Sequence, residues 1–580
     1  MMIKNKLISA PLLFFIFAGL FFFLKPGLNS GEGPLLTTAA YHLGISHPPG
    51  YPLYLHIAKS GTLLPFGNIA FRLNILSLLI GLVALSLYPL ISRALSRSPG
   101  FCGLLLFFLT PTFLENILKT EVYALNVLFF QLFLLSWLQW DKTSEVRWLF
   151  LLCFLFGLSL GHHLTLILAC PIFIVFAFIQ RRETVLRFSP LLILFFIFGS
   201  SILLYLPIRA GGTPLINWGH PDSARAFMTL ITAQEEAMPS FLDTFREIDV
   251  FQAIFGNLLT LLRREFILPL LLLSLFGWLI TLRLRRNVTL LLTFIFLTLS
   301  LAVALYHSFE SNAFLLPGFL ILTYWIDSGL YKLYLEIKDR LTGQQILKKY
   351  LYLILALGLI CGLCFFQLGQ STQSPGIYQS FDLEWFSRGM LTETDNEAYI
   401  FTERSNLYFL LLYQQYLENV GQDRYVVFIH LLSFPWFLTK QFGGELPLEP
   451  FFDIEKHAQN TALWNETIAA ALINVGWKNT ASYLIEPEVF QQKVKKHFPH
   501  LHLQPGGFHF QVKGQNIVYK QFTAYYKWFV QLCLTEPLDP LNRDMYTYFH
   551  SVQGQVLLEQ GILAPAQQES DWRNRLLAKK

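Results

Sequence analysis

The residues best suited to chemistry lie in a polar stretch after the first apolar segment, "NSGEGPLLTTAAYHLGISHPPGYP" at 29–52. Pro34 is typical of the first turn of a helix, and Gly44 of its end. Glu32 would then stand at the helix N-terminus, where the helix dipole keeps a carboxylate ionised. An ionised carboxylate can accept a proton as a general base. Helix capping alone also explains an acid at this position.

The motif HPPGYP brings His47 and Tyr51 into the same loop. A residue before proline avoids the helical region, so His47 should be extended and the chain should then turn at Gly50. Pro52 can open a second short helix. The stretch is therefore predicted to form a compact helix–turn–helix cap. The alternative is that the motif only bends the chain.

A second carboxylate, Glu121, begins the apolar segment that follows "ENILKTE" at 115–121. An acid in a membrane segment is costly unless it faces a cavity, which makes Glu121 a candidate functional residue. The alternative is that Glu115, Lys119 and Glu121 neutralise one another among solvated headgroups.

Three further candidates stand at the ends of apolar segments: His163 in "GLSLGHH", and Arg209 and Trp218 in "YLPIRAGGTPLINWG". Because adjacent helical side chains point about 100° apart, His162 and His163 are poor joint metal ligands, and no metal site is expected. Arg209 suits a phosphate or pyrophosphate, although a lone arginine also snorkels to headgroups. Trp218 is either an interfacial aromatic residue or a platform for a sugar ring.

The composition indicates a membrane protein. Of 580 residues, 54% are hydrophobic and 14% are charged, whereas soluble domains carry about a quarter charged residues. A span needs about 20 apolar residues. This rule predicts about eleven transmembrane helices, near 7–24, 73–91, 101–114, 124–140, 148–161, 163–180, 188–206, 266–282, 288–306, 313–327 and 351–368. The first is interpreted as a retained helix rather than a cleaved signal peptide.

Lysine and arginine cluster in alternate loops, which predicts a cytoplasmic N-terminus. The outer face then receives 25–72, 115–123, 207–265, 307–312 and everything after 370. All the candidate residues fall on that face. We therefore expect a membrane domain over 1–370, with 25–72 as its catalytic loop, and a soluble α/β domain over 371–580, where short strand-like and helix-like runs alternate.

Four motifs occur in one order: "NSGE…AAYHLGISHPPGYPLY", "TEVYALN", "GLSLGHH" and "YLPIRAGGTPLINWG". Together they resemble a family of polytopic membrane proteins related to the protein O-mannosyltransferases, within the GT-C glycosyltransferases. The resemblance covers residues 1–330 by motif. It implies a GT-C-like helical membrane protein with an outer-face α/β domain.

The resemblance further implies an inverting transfer of a mannose-like sugar from a polyprenyl-phosphate donor to an acceptor hydroxyl. A carboxylate of the first outer loop would be the base, and Arg209 would stabilise the phosphate. His47, Tyr51, His163 and Trp218 would bind substrate. No cofactor or divalent metal is expected beyond the lipid-linked donor, and the expected partners are membrane lipid and a protein or glycan acceptor, with no nucleic acid.

One residue departs from the family pattern, which reads D-S-G-E where this chain has Asn29-Ser30-Gly31-Glu32. An amide cannot accept a proton at neutral pH, so either Glu32 or Glu121 is the base, or activity is altered or lost. Asn29 is kept as a substrate-binding candidate.

Two other functional classes remain open at this point. A transporter or flippase of lipid-linked solutes would need polar groups at the bilayer midplane and symmetry between its halves, whereas the polar groups here lie at one face. An inactive membrane scaffold is the third hypothesis, which Asn29 supports. The lack of paired cysteines after residue 370 favours a bacterial inner membrane with a periplasmic C-terminal domain.

Overall fold

The structure is a computed structural model, and it describes residues 17–233, 256, 258–305, 311–341, 382–434, 436–437, 482–484, 502–505, 509–513, 524–535, 540–559 and 563–578. The predicted span 351–368, residues 7–16 of the first predicted span and the predicted domain boundary at 370 lie outside these residues.

The loop between the first apolar segment and the next long helix, residues 25–68, is called the first loop. It holds two short helices, α1 (Gly33–His42) and α2 (Pro52–Thr62), each with a proline in its first turn as predicted. The residue that terminates α1 after His42 is Leu43, which adopts the left-handed conformation, and not Gly44 as predicted. Gly44 is required for another reason, because a Cβ there would lie 2.6 Å from the Ile216 carbonyl oxygen.

Six helices follow the first loop: α3 (Ile69–Ser96), α4 (Phe101–Phe108), α5 (Pro111–Ile117), α6 (Tyr123–Thr143), α7 (Arg147–Ser159) and α8 (Leu164–Ser200). The span predicted over 101–114 is two helices, because Thr110 before Pro111 is extended. The spans predicted at 163–180 and 188–206 share α8, which leaves helical geometry at Arg181.

Between residues 205 and 341, the described residues form seven more helices: α9 (Tyr205–Gly211), α10 (Ala224–Ile231), α11 (Leu258–Glu265), α12 (Leu268–Leu284), α13 (Arg286–Leu305), α14 (Ser311–Phe314) and α15 (Leu316–Leu341). α11 and α12 meet at an angle of 101°. The span predicted at 266–282 is therefore preceded by a second, sharply bent helical piece.

The chain is a multi-pass membrane protein. Among the described residues, four helices are long and apolar enough to cross a membrane, or five if the bent pair α11–α12 counts as one span. One of the four, Leu164–Gly211, has 48 residues. At 1.5 Å per residue it is about 72 Å long, which is more than twice the bilayer core and accommodates both spans predicted there. The figure of about eleven spans stays a prediction.

Glycines allow the closest helix contacts. A Cβ on Gly157 of α7 would lie 2.0 Å from the Phe196 carbonyl oxygen of α8, and one on Gly199 would lie 2.1 Å from the Phe154 carbonyl oxygen. Gly277 of α12 approaches the Trp325 carbonyl of α15 in the same way. Such contacts are typical of membrane helices, where small residues let backbones pack closely.

The C-terminal region, meaning the described residues from 382 to 578, combines helices with a five-stranded sheet. The helices are α16 (Asp382–Thr392), α17 (Ser405–Tyr416), α18 (Ala524–Thr535), α19 (Pro540–Glu559) and α20 (Leu563–Leu577). The strands are β1 (Tyr399–Thr402), β2 (Tyr425–Phe428), β3 (Ser482–Leu484), β4 (His502–Pro505) and β5 (Phe510–Lys513), in the order β2-β1-β3-β5-β4. β2, β1 and β3 are parallel, whereas β5 and β4 add antiparallel pairs.

Candidate active site

Glu32 directly precedes α1, but its side chain does not cap the helix. Instead, its Oε2 atom lies 2.9 Å from Nε2 of His47. The other ring nitrogen of His47 lies 3.1 Å from the Pro48 carbonyl oxygen, so a protonated imidazole can donate to both. The capping explanation for Glu32 therefore does not describe its side chain, which forms an ion pair within the first loop.

The backbone around His47 is held by a distant segment. Ile45 pairs with Asn217 in a parallel bridge, and the Trp218 N–H donates to the Ile45 carbonyl at 3.1 Å. After His47, the chain turns as predicted: the Gly50 N–H donates to the His47 carbonyl at 2.8 Å, and Gly50 has φ +88°. His47 thus lies beside the start of α1, where it contacts Glu32.

The electrostatic environment keeps Glu32 ionised. Burial by itself would raise the pKa of Glu32, but the neighbouring His47, with a smaller contribution from Lys119, outweighs it and lowers the pKa from its ordinary value. The side chain is 26% exposed, so one face of this ionised carboxylate can be reached from outside the protein.

A second charged group lies beside the start of α1. Lys119 Nζ is 3.2 Å from Glu115 Oε1 and 3.7 Å from Glu121 Oε1. Glu121 is 1% exposed, whereas the Lys119 side chain is 17% exposed. The loop packs tightly on α1, since a Cβ at Gly33 would lie 3.2 Å from the Thr120 carbonyl oxygen. The segment that carries Lys119 therefore lies against the start of α1, and the Lys119 charge acts on Glu32.

His163 and Tyr51 complete the cluster. Nδ1 of His163 accepts from the Thr165 N–H at the start of α8, and the ring lies 6.1 Å from that of Tyr51. Tyr51 in turn lies 5.2 Å from the His47 ring. Burial lowers the pKa of His163 to about 4, with Glu32 opposing the shift and His47 adding to it. His163 is therefore a neutral imidazole. His162 points elsewhere, towards Tyr54 and Phe129.

Asn29 belongs to a buried amide network. Its Nδ2 donates to Asn74 Oδ1 of α3 at 3.0 Å, and the Thr120 hydroxyl donates to the same oxygen at 2.8 Å. The Asn74 amide nitrogen donates to the carbonyl oxygens of Lys25 and Gly27. This network joins the first loop, α3 and the 118–121 loop, and it requires a donor at residue 29. Asn29 thus has a structural role that an aspartate would not fill.

We expect Asn29→Asp to destabilise the protein without increasing activity. The new carboxylate would face Asn74 Oδ1, so two acceptors would meet where a hydrogen bond now exists, at a cost of about 1–3 kcal/mol. Thermal unfolding in detergent measures the loss, and Asn419→Asp, at an exposed position, is the control for the added charge. A more active Asn29→Asp variant would instead show that the family aspartate is needed for catalysis.

Arg209 does not join this cluster. Its Nε donates to the Leu43 carbonyl at 2.6 Å and its Nη2 to the His42 carbonyl at 3.1 Å, while the Tyr205 hydroxyl donates to the Gly44 carbonyl at 3.0 Å. These carbonyls end α1, whereas Glu32 precedes its first residue. Ten helical residues span about 15 Å, so Arg209 and Glu32 lie at opposite ends of α1. The expected convergence of Arg209 with the carboxylates is not observed.

Trp218 lies beside His47 and contacts the C-terminal region. Its ring is 6.2 Å from His47, 6.1 Å from Phe409 of α17 and 5.9 Å from Trp436. Phe409 also stacks on His47 at 6.5 Å. An aromatic wall therefore borders the Glu32–His47 pair. The C-terminal region supplies part of that wall, which no local sequence signal indicates.

No group of three His, Cys, Asp or Glu side chains that could hold a metal ion occurs within the described parts of the chain.

Two residues of the candidate site were not singled out from the sequence. Lys119 was considered only as a counter-charge, and Asn74 lies unmarked inside an apolar helix. The one available signal for Asn74 is a strongly polar amide in the first turns of a predicted span.

Residues 30–186 match the family described as "Protein O-mannosyl-transferase TMEM260 N-terminal domain". This segment is related to the TMEM260 proteins. The match confirms the family resemblance drawn from the motifs. It includes Glu32, His47, Glu121 and His163, whereas Arg209, Trp218 and the C-terminal region lie beyond it.

Two curated relatives are each similar over less than half of the chain. Protein O-mannosyl-transferase TMEM260 of Mus musculus is 33% identical over 225 residues, 36% of this chain and 31% of the relative. Its Dictyostelium discoideum counterpart is 26% identical over 267 residues, 40% of this chain and 31% of the relative. The chain thus matches about a third of the length of either relative, and both come from eukaryotes.

Among solved structures, ArnT from Cupriavidus metallidurans bound to undecaprenyl phosphate aligns with 88% of this chain and 99% of its own. The sequence identity is 10% and the TM-score is 0.48.

Proposed function

We propose that this chain is an inverting glycosyltransferase of the GT-C class that moves a mannose-like sugar from a polyprenyl-phosphate donor to an acceptor hydroxyl at the outer face of its membrane. The observation that carries the proposal is the ionised, half-buried Glu32 paired with His47 beside Lys119. These residues lie in the segment related to proteins named as protein O-mannosyl-transferases, which supports the kind of sugar and the reaction class.

In the proposed reaction, Glu32 is the general base. The acceptor oxygen attacks the anomeric carbon from the face opposite the phosphate, its proton passes to Glu32, and the sugar–phosphate bond breaks with its electron pair on the phosphate oxygen. One oxygen of Glu32 faces His47, so the carboxylate is fixed while the acceptor uses its other oxygen. Attack opposite the leaving group inverts the anomeric centre.

Lys119 stabilises the negative charge on the departing phosphate in this proposal. Its charge acts on Glu32, and Glu115 and Glu121 lie within ion-pair distance of its ammonium group. Arg209 then acts indirectly by fixing the C-terminal end of α1. Glu121, almost fully buried, positions Lys119 and is shielded from the acceptor.

The aromatic and imidazole groups around Glu32 are proposed to position the sugar. Tyr51 and Trp218 both lie beside His47, and neutral His163 lies beside Tyr51. Aromatic faces pack against the apolar face of a sugar ring while imidazole nitrogens bond its hydroxyls. The polyprenyl chain would lie in the bilayer, next to the membrane helices.

The test is transfer by the purified full-length chain in detergent or liposomes. Radiolabelled mannosyl-phosphate polyprenol is supplied with a mixture of serine- and threonine-containing peptides and free glycans, and labelled product is separated from lipid. We expect a product whose anomeric configuration is opposite to that of the donor. Failure to bind or to consume any polyprenyl-phosphate sugar would overturn the proposal. Retention of configuration would overturn the mechanism.

A further inference from the structure

The C-terminal region contacts α1 along its length and at its C-terminal end, and it also binds the backbone just before α1. α17 packs against α1, and the ring of Phe409 stacks on His47. At the C-terminal end of α1, His42 Nε2 lies 3.3 Å from the Tyr416 carbonyl oxygen at the end of α17. The helix that follows Glu32 is therefore held by residues more than 350 positions later in the chain.

The contact before the start of α1 comes from one carboxylate. Glu384 of α16 accepts a hydrogen bond from the Leu28 N–H, four residues before Glu32. Leu28 is 1% exposed, and the neighbouring carbonyls of Lys25 and Gly27 are held by Asn74 of α3. The segment before Glu32, residues 25–28, is thus bound both by α3 and by the C-terminal region.

The surroundings of the Glu384 carboxylate disfavour its ionised form. Its second oxygen is buried and has no hydrogen-bond partner among the described residues. Burial raises the pKa of Glu384 to about 7, against the Leu28 N–H and Lys25, with Asp382 adding to the rise. A partly buried, incompletely paired acid costs stability, so an apolar residue would serve packing better. What an apolar residue would not supply is the acceptor for Leu28.

We propose that Glu384 is a positioning residue for the transfer reaction: by fixing Leu28, the C-terminal region sets the place of Glu32 relative to His47 and Lys119. The inference rests on the proposed function, because it names how the base is aligned. It gives the C-terminal region a part in the chemistry without contact with substrate. A misplacement of about 1 Å in a catalytic group can cost about 100-fold in rate.

The first test compares Glu384→Gln with Glu384→Leu in the full-length protein. Glutamine keeps an acceptor oxygen for Leu28 and leucine does not. We expect Glu384→Leu to lower kcat about 10- to 100-fold with little change in KM, and glutamine to restore most of it. Asp571→Leu, at an exposed site in the same region, is the control and should change neither constant. Equal kcat in the leucine variant and the wild type would overturn the inference.

The second test needs no enzymatic activity. Hydrogen exchange at residues 27–36 should be at least about 10-fold faster in Glu384→Leu than in the wild type and near normal in Glu384→Gln. Wild-type rates in the leucine variant would show that Glu384 does not hold the segment. If even the wild type transfers no sugar, the proposed function fails, while the exchange result still decides whether Glu384 holds the segment.

Thermal unfolding measured at several pH values shows whether the variants are folded, and it also tests the environment of Glu384. Because the pKa of Glu384 is raised from 4.5 to about 7 in the folded protein, the native state binds more protons than the unfolded chain between these values. Wild-type stability should therefore fall as pH rises through this window, and Glu384→Gln should remove that part of the fall. The other titratable groups facing Glu384 are Lys25, Asp382 and Tyr413, which both variants retain. Parallel curves for the two proteins would contradict the buried environment assigned to Glu384.

Discussion

Glu32→Gln is expected to lower kcat by about 10²- to 10⁴-fold, the usual range for loss of a general base. The amide keeps the shape of the side chain but cannot take the acceptor proton. KM for the lipid donor should change little, because the donor does not need the proton acceptor to bind. Initial rates of labelled product formation measure both constants.

The matched control is Glu145→Gln. Glu145 pairs with Arg147 at an exposed position away from the first loop, so this change should leave kcat intact. The pH profile gives a second check. Since the pKa of Glu32 is lowered, wild-type kcat/KM should be level at neutral pH and fall only in acid, below about pH 4.5. An active Glu32→Gln enzyme would assign the base elsewhere, with Glu121 the next candidate.

Lys119→Met is expected to lower kcat by about 10²- to 10³-fold, as for the removal of one group that stabilises transition-state charge. Lys119→Arg should retain part of the rate, because it keeps the charge in a different geometry. The methionine variant should also lose stability, since buried Glu121 loses a cation 3.7 Å away; breaking a buried pair costs about 3 kcal/mol.

Stability and catalysis are separated by the double variant Lys119→Met with Glu121→Gln. Neutralising Glu121 should recover most of the lost melting temperature, while kcat should stay low. Lys332→Met, which removes an exposed ion-paired lysine, is the control for the substitution itself. If the double variant regains activity together with stability, Lys119 is a structural residue and the phosphate must find another cation.

Local signals were enough to predict the parts of the fold that depend on neighbouring residues. Apolar runs placed α3, α6 and α7 within a few residues of their observed bounds. Prolines and glycine likewise indicated the two helices and the turn of the first loop. These features depend on lipid solvation and backbone restriction, both of which are readable over a short stretch.

Contacts between distant segments were beyond such signals. Arg209 was expected near the carboxylates, because it shares a face of the membrane with them, but sharing a face does not fix a position along it. The chain instead uses Arg209 to bind the last carbonyls of α1, a role that depends on which helix end lies nearby. Phe409 contacts His47, and Glu384 binds the Leu28 N–H, because α17 and α16 lie against the first loop.

The way α1 is held limits how this molecule can be divided. The segment that matches the family model ends at residue 186, yet Arg209 and Tyr205 bind the C-terminal end of α1, α17 packs along it, and α16 binds the backbone just before it. Residues 30–186 alone therefore lack several of the contacts that hold α1 in this structure. A chimaera that carries only residues 30–186 of this chain would keep Glu32, His47 and Lys119 but would lose the contacts that the rest of the chain makes with α1.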